Sequence, residues 1–268
     1  MQGTTGREES SPVSRGVFEL AELISGAKRC VVLTGAGIST ESGIPDFRSP
    51  GTGLWSQVDP MAVLSATAFV TRTEAFYRFI LKLFEMLRAV EPNAGHRALA
   101  ALERMSVIDT IVTQNIDGLH QRAGSRRALE VHGNMRTCTC VRCGKTYDLG
   151  AALNAVRAGG LPRCDLCGAL VKPDVVLFED PLPPDFFLAQ RAVAESDLLI
   201  AVGSSLEVAP VCYLPELASR LAIINLTPTG YDGRADVVIH AKAGPTLAAL
   251  VDAVRMGSGG NAPSESGG

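Results

Sequence analysis

Two cysteine pairs, Cys140-x-x-Cys143 and Cys164-x-x-Cys167, lie twenty residues apart in this chain, each followed by glycine. A two-residue spacer lets both thiolates of a knuckle reach one ion, and four thiolates close a tetrahedron around zinc. The same spacing also serves thiol redox chemistry, or occurs in cysteines merely reduced and buried. With four protein ligands no position remains for water or substrate, so the zinc is expected to be structural and any catalysis to lie elsewhere. Cys138 stands one residue from Cys140 and does not fit the knuckle, while Cys30 and Cys212 stand alone in apolar surroundings. Clustered pairs in a long chain without a signal-like start suggest a metal site in a reducing compartment rather than a disulfide framework, and the cytoplasm is the expected location.

Around that stretch, strand-like and helix-like patterns alternate. The apolar run Cys30 to Thr34 feeds Gly35-Ala36-Gly37, and further strand-like runs span 107–113, 197–203, 222–226 and 236–240. Helical periodicity covers 17–25, 75–90, 96–105 and 246–255. Strands alternating with helices predict an α/β fold with a Rossmann-like, doubly wound parallel sheet. The expected division is a disordered start over 1–14, a large domain over 15–133 and 175–256, an inserted zinc-ribbon module over 134–174, and a disordered tail over 257–268. A net charge of −3 gives no general affinity for nucleic acid. No apolar run approaches the roughly 20 residues that span a bilayer, so no membrane partner is expected.

Chemistry-bearing residues gather at three further places. Glycines directly after a strand let backbone approach a pyrophosphate, with free N–H groups offered by the helix that follows. Here the dehydrogenase fingerprint fails: Thr40 stands where its third glycine belongs, and no acidic residue ends a strand about twenty positions on. Thr113-Gln114-Asn115-Ile116-Asp117-Gly118-Leu119-His120 follows another strand, and polar groups at the carboxyl ends of parallel strands are where open α/β sheets bind ligands. Val131-His132-Gly133 precedes the cysteine module. His132 has a side chain suited to base work near neutrality. His96 and His240 are expected to be structural, and His120 is open to either reading.

Taken in order, these segments resemble the sirtuin family. The resemblance rests on Thr34-Gly35-Ala36-Gly37-Ile38-Ser39, Gly43-Ile44-Pro45-Asp46-Phe47-Arg48, Thr113 to His120, His132-Gly133, both cysteine pairs, Lys172 to Phe178, Gly203-Ser204-Ser205-Leu206 and Asn225, across roughly 17–255. It implies a Rossmann-like domain and a zinc module flanking a cleft that takes NAD and an acyl-lysine peptide. By the resemblance, Gly35, Ala36, Gly37, Ser39, Thr40, Asp46, Phe47 and Arg48 belong to the cofactor loop. Gln114, Asn115, Ile116 and Asp117 line the ribose and nicotinamide pocket, and Gly203, Ser204, Ser205 and Asn225 hold the adenosine half. Val175 and Phe178 meet the peptide, His132 is the catalytic base, and Cys140, Cys143, Cys164 and Cys167 bind zinc. The implied activity is NAD-dependent protein-lysine deacylation, releasing nicotinamide and an acyl ester of ADP-ribose. A sirtuin-fold protein mono-ADP-ribosyltransferase, and more remotely a non-catalytic zinc-ribbon binding module, are the alternatives.

Two places depart from or extend the pattern. The family continues past Phe178 with Gly-Glu, whereas this chain has Glu179-Asp180, so a side chain stands where glycine served. In the helical stretch 75–90, Tyr77 matches one half of a Tyr-x-x-Arg pair that takes acidic acyl chains, and Ile80 occupies the arginine position. That reading predicts a preference for neutral acyl groups, against the simpler one in which Phe76, Phe79 and Ile80 are core residues at helical spacing.

Overall fold

The computed structural model of the protein describes residues 11–45 and 59–259. Nine strands are assigned among them: β1 (Cys30–Thr34), β2 (Thr110–Thr113), β3 (Ala128–Glu130), β4 (Gly133–Cys140), β5 (Thr146–Asp148), β6 (Val171–Val175), β7 (Leu198–Val202), β8 (Leu221–Ile224) and β9 (Val237–Ile239). The helices are α1 (Pro12–Gly26), α2 (Pro60–Val63), α3 (Ala66–Thr71), α4 (Thr73–Arg88), α5 (Ala94–Arg104), α6 (Leu119–Arg122), α7 (Leu149–Ala152), α8 (Asn154–Arg157), α9 (Pro184–Ala194) and α10 (Ala243–Gly259). The expected doubly wound sheet is present, six strands in the order β3-β2-β1-β7-β8-β9, with every pair parallel.

Every residue of β1 and β7 is buried, as expected for central parallel strands covered on both faces. Their side chains alternate between two cores. Cys30 and Val32 pack with α1, α5 and α10, whereas Val31 and Leu33 pack on the opposite face with Phe186, Ala189 and Val193 of α9. α1 begins at Pro12, upstream of the pattern that suggested residue 17, because the Ser11 hydroxyl accepts from Ser14 N at 3.2 Å and proline sits in the first turn, where its missing N–H costs nothing.

The cysteine stretch forms a separate antiparallel sheet in the order β5-β4-β6. Its core is shared: Phe69 of α3 and Phe76, Tyr77, Ile80 and Leu83 of α4 cluster with Cys138, Leu149, Val171 and Val175. α3 and α4 therefore pack with the ribbon rather than against the large sheet, a grouping the linear order of the chain conceals. Among the described residues, no helix is long and apolar enough to cross a membrane.

Candidate active site and metal centre

Strand order reverses between β1 and β7: the chain steps outward from β1 to β2 and β3, then returns to the other side of β1. Ligands of open parallel sheets lie outside the carboxyl ends of strands at such a point. Gly35, Gln114, His132, Gly203 and Asn225 all follow carboxyl ends in this sheet.

The glycines there have a packing reason of their own. A Cβ on Gly35 would come within 2.7 Å of the Gly203 carbonyl oxygen, and one on Gly37 within 2.7 Å of the Gly203 Cα. The loops after β1 and β7 cross with backbone against backbone, joined by Gly35 N to Val202 O at 3.0 Å and Gly37 N to Gly203 O at 2.8 Å. This corrects the reading of that turn as a helix start with free donors. The segment Ala36–Ser42 is a 3-10 helix in which Gly37 N is already bonded and Ile38 N reaches Gly35 O at 3.2 Å.

Beneath the crossing, Ser39, Asn115 and Asp117 form one network. The Ser39 hydroxyl donates to Asp117 Oδ2 at 2.7 Å and accepts from Asn115 Nδ2 at 3.1 Å, and Nδ2 also donates to Gly35 O at 3.1 Å. Because a carbonyl only accepts, this fixes the Asn115 amide and leaves its buried Oδ1 without a hydrogen-bond partner among the described residues. An acceptor so placed fits a ligand hydroxyl or amide, which is what NAD offers. Asp117 also closes a turn by accepting from Leu119 N at 2.9 Å, and burial raises its pKa above the usual carboxylate value. Closing this turn is compatible with the pocket role expected of Asp117.

His132 is half-buried just after β3, with Nδ1 3.0 Å from the Gln114 carbonyl oxygen. That oxygen only accepts, so the proton sits on Nδ1 and the Nε2 lone pair is available. Burial lowers its pKa, partly opposed by the same hydrogen bond, so the ring is neutral at pH 7. Gln114 also donates from Nε2 to the Ser204 hydroxyl at 2.9 Å, tying the β2 and β7 ends together. Gly133 follows with φ +73, its position facing the Asp174 carbonyl.

The remaining expected residues sort unevenly. Asn225 is buried, its amide nitrogen donating to Thr227 O at 2.8 Å. Ala36, Ile116 and Ser205 are half-buried, and Thr40 is exposed. Asp46, Phe47 and Arg48 lie outside the described residues. Val175 is paired with Gly133 in the β4–β6 register, and its side chain belongs to the ribbon core, whereas Phe178 is 43% exposed. The placement of Tyr77 and Ile80 at an acyl pocket is corrected. Both are fully buried in the ribbon core and the Tyr77 hydroxyl donates to the Val171 carbonyl at 2.5 Å, so the simpler core reading holds for Phe76 and Ile80.

Sequence reasoning named His96 as structural and left His120 open, but missed that the two rings meet. His120 and His96 are buried with ring centroids 5.0 Å apart, His120 Nε2 2.9 Å from Thr34 Oγ1 and His96 Nε2 3.4 Å from Ser39 Oγ. Burial pushes their pKa values down to about 4 for His96 and about 3 for His120. Glu179, which the sequence marked as standing in glycine's place, is a non-glycine residue at φ +76, a conformation costing about 1–2 kcal/mol for an L-residue. The signal was in the sequence, as the departure from the glycine pattern.

In the ribbon, the Sγ atoms of Cys140, Cys143, Cys164 and Cys167 all lie within 4.8 Å of one another, with the pairs 140/167 at 3.4 Å and 143/164 at 3.5 Å. Disulfide sulfurs would be about 2.05 Å apart. A tetrahedron with zinc–sulfur bonds of about 2.3 Å sets sulfurs about 3.8 Å apart, so the set fits a zinc ion. Cys138 is buried outside this group, its thiol 3.8 Å from the Tyr147 carbonyl.

A six-stranded dinucleotide-type sheet, a polar cluster at its reversal point and an adjoining four-thiolate ribbon define an α/β protein with a nucleotide cleft and a structural metal module. The chain belongs to the Sir2 family, whose sequence model matches residues 35–210. It is similar to NAD-dependent protein deacetylase 2 of Caldanaerobacter subterraneus, 51% identical over 236 residues, covering 87% of this chain and 94% of that one. NAD-dependent protein deacylase 2 of Archaeoglobus fulgidus is 45% identical over 245 residues, covering 89% and 96%. Among solved structures, one described as the structural basis for the mechanism and regulation of Sir2 enzymes superposes with TM-score 0.82 at 43% identity, covering 91% of this chain and 99% of that chain. A Sir2 complex with p53 peptide and NAD superposes with TM-score 0.77 at 36% identity, covering 91% and 98%.

Proposed function

We propose that this chain is an NAD-dependent protein-lysine deacetylase in which His132 is the general base. NAD, when bound, would supply the ribose that takes the acyl group, and one water is consumed, so that the free lysine amine, nicotinamide and O-acyl-ADP-ribose leave. The observation that carries the reading is the fixed tautomer of His132, with Nδ1 held by the Gln114 carbonyl and Nε2 free to take a proton.

The other residues divide by what they can hold. The unpartnered Asn115 Oδ1, with Gln114, Ile116 and Asp117, suits the ribose and nicotinamide. Gly35, Ala36, Gly37, Ser39 and Thr40 form the loop side of the cofactor cleft, and Asp46, Phe47 and Arg48, outside the described residues, are assigned to the cofactor by the resemblance alone. Gly203, Ser204, Ser205 and Asn225 take the adenosine half. Phe178 meets the peptide through its exposed ring, and Val175 through its main chain. Cys140, Cys143, Cys164 and Cys167 hold zinc as a fold element, and the ribbon over 134–174 with the helices over 60–88 forms one wall of the peptide cleft. Acyl-lysine proteins are the partners, and the net charge of −3 favours neither nucleic acid nor an anionic membrane surface. A reducing cytoplasm suits four thiolates left uncrosslinked.

Incubation with NAD and an acetyl-lysine peptide, followed by mass spectrometry, tests the reading. Nicotinamide and deacetylated peptide should appear in equal amounts, and His132→Ala should bind NAD with little change yet fail to turn over. Nicotinamide release with ADP-ribose attached to protein side chains, and no deacetylated peptide, would establish the transferase alternative instead.

A further inference from the structure

Glu179 combines three features. It stands where the Sir2 pattern carries glycine, it adopts φ +76 as a non-glycine residue, and its carboxylate is not idle. Oε2 accepts from Thr67 N at 2.9 Å and from Thr67 Oγ1 at 2.8 Å, in the first turn of α3. Next to it, Phe178 N donates to Leu64 O at 2.9 Å and Phe178 O accepts from Ala66 N at 2.9 Å. Residues 178–179 are thus stitched to 64–67 by four hydrogen bonds, two through the Phe178 main chain and two through the Glu179 side chain.

We propose that Glu179 is a positioning residue for the peptide substrate, gripping Thr67 so that Phe178 is held at the wall of the acyl-lysine cleft. The inference rests on the deacetylase reading. On the other side, Val176 N is tied to the His132 carbonyl at 2.9 Å, so the segment ending at Phe178 is anchored at both ends, by the base-bearing loop and by Glu179. A glycine at 179 would adopt the same φ freely but could not reach α3, leaving the segment held there only by the Phe178 main chain and by the turn that Asp180 closes onto Leu177. The left-handed conformation turns the Glu179 side chain back onto α3, so the conformational cost and the grip belong to one arrangement. A cleft wall fixed in advance loses less entropy when an extended peptide docks, which appears as tighter peptide binding with unchanged chemistry.

The test uses the full chain with zinc bound, a fluorescent acetyl-lysine peptide for affinity, and steady-state kinetics for peptide and NAD. Glu179→Ala should weaken peptide binding and raise the peptide KM by about threefold to tenfold, the worth of one or two hydrogen bonds, while kcat and the NAD KM stay within about twofold. Glu179→Gln should behave as the wild type, because its amide oxygen still accepts from Thr67. Thr67→Val should weaken the peptide in the wild-type background and add little on top of Glu179→Ala. A fall in melting temperature with unchanged peptide affinity in Glu179→Ala would reduce the residue to a helix cap and overturn the proposal. So would a Glu179→Gln variant as impaired as Glu179→Ala, since charge and not the grip would then be acting. A wild-type chain that deacetylates while these variants bind peptide equally well defeats this inference alone; a wild-type chain that neither binds nor deacetylates the peptide defeats the deacetylase reading with it.

Discussion

Gly133→Ala should damage fold and activity together. A Cβ at Gly133 would lie 2.0 Å from the Asp174 carbonyl oxygen, against an ordinary contact of 3.4 Å or more, so β4 and β6 must part there by about 1.4 Å (3.4 − 2.0). The φ of +73 adds about 1–2 kcal/mol for a side chain in the left-handed region. Parting the strands also strains the bond from Val176 N to His132 O, now 2.9 Å, and such bonds contribute about 1 kcal/mol each. A destabilisation of about 3 kcal/mol follows, equivalent to a Tm about 6–12 °C lower in a chain of this size. Because His132 immediately precedes the altered residue, its ring shifts relative to the cleft, and a displacement of about 1 Å costs on the order of a hundredfold in rate. Thermal melting by circular dichroism and kcat/KM on an acetyl-lysine peptide measure both effects. Gly230→Ala, where an added Cβ meets nothing within 4 Å, is the control. A Gly133→Ala protein melting within 2 °C of wild type (about 0.5 kcal/mol) and retaining its kcat/KM would show that the β4–β6 contact absorbs the added Cβ without cost.

Replacing any one of Cys140, Cys143, Cys164 or Cys167 with alanine should abolish stoichiometric zinc and destabilise the ribbon, while Cys138→Ala keeps the metal; elemental analysis of the purified proteins decides both. Stability should fall as pH drops below about 6.5. His96 and His120 have folded-state values near 4 and near 3, below the unfolded value, so the unfolded chain binds more protons in that window and each neutral ring's contribution disappears by up to about 1.4 kcal/mol per pH unit. Urea titrations at pH 7.5 and pH 5 read this directly, and equal midpoints would contradict it. The acid limb of kcat/KM should turn over below pH 6.5, because burial holds His132 neutral to lower pH than a free imidazole; a limb above that value would point to another base.

Short stretches of chain impose part of this structure on their own. Two-residue cysteine spacing defines a zinc knuckle wherever it folds, and the four sulfurs do converge. The apolar runs of β1 and β7 required burial on both faces, and their alternation with helices required a parallel sheet. The tertiary structure alone decided what joins distant segments. The short β3 carries too few residues to show a period, and the packing of α3 and α4 with the ribbon depends on which face finds an apolar partner. The role of Gly35 and Gly37 came from Gly203, far along the chain, and the tautomer of His132 from the Gln114 carbonyl. Tyr77 looked available for an acyl chain until the Val171 carbonyl took its hydroxyl, and Glu179 looked like an intrusion until Thr67 gave it two donors. Periodicity and spacing report the preferences of local backbone, whereas hydrogen-bond partners are assigned by strand order and register, which only the folded chain supplies.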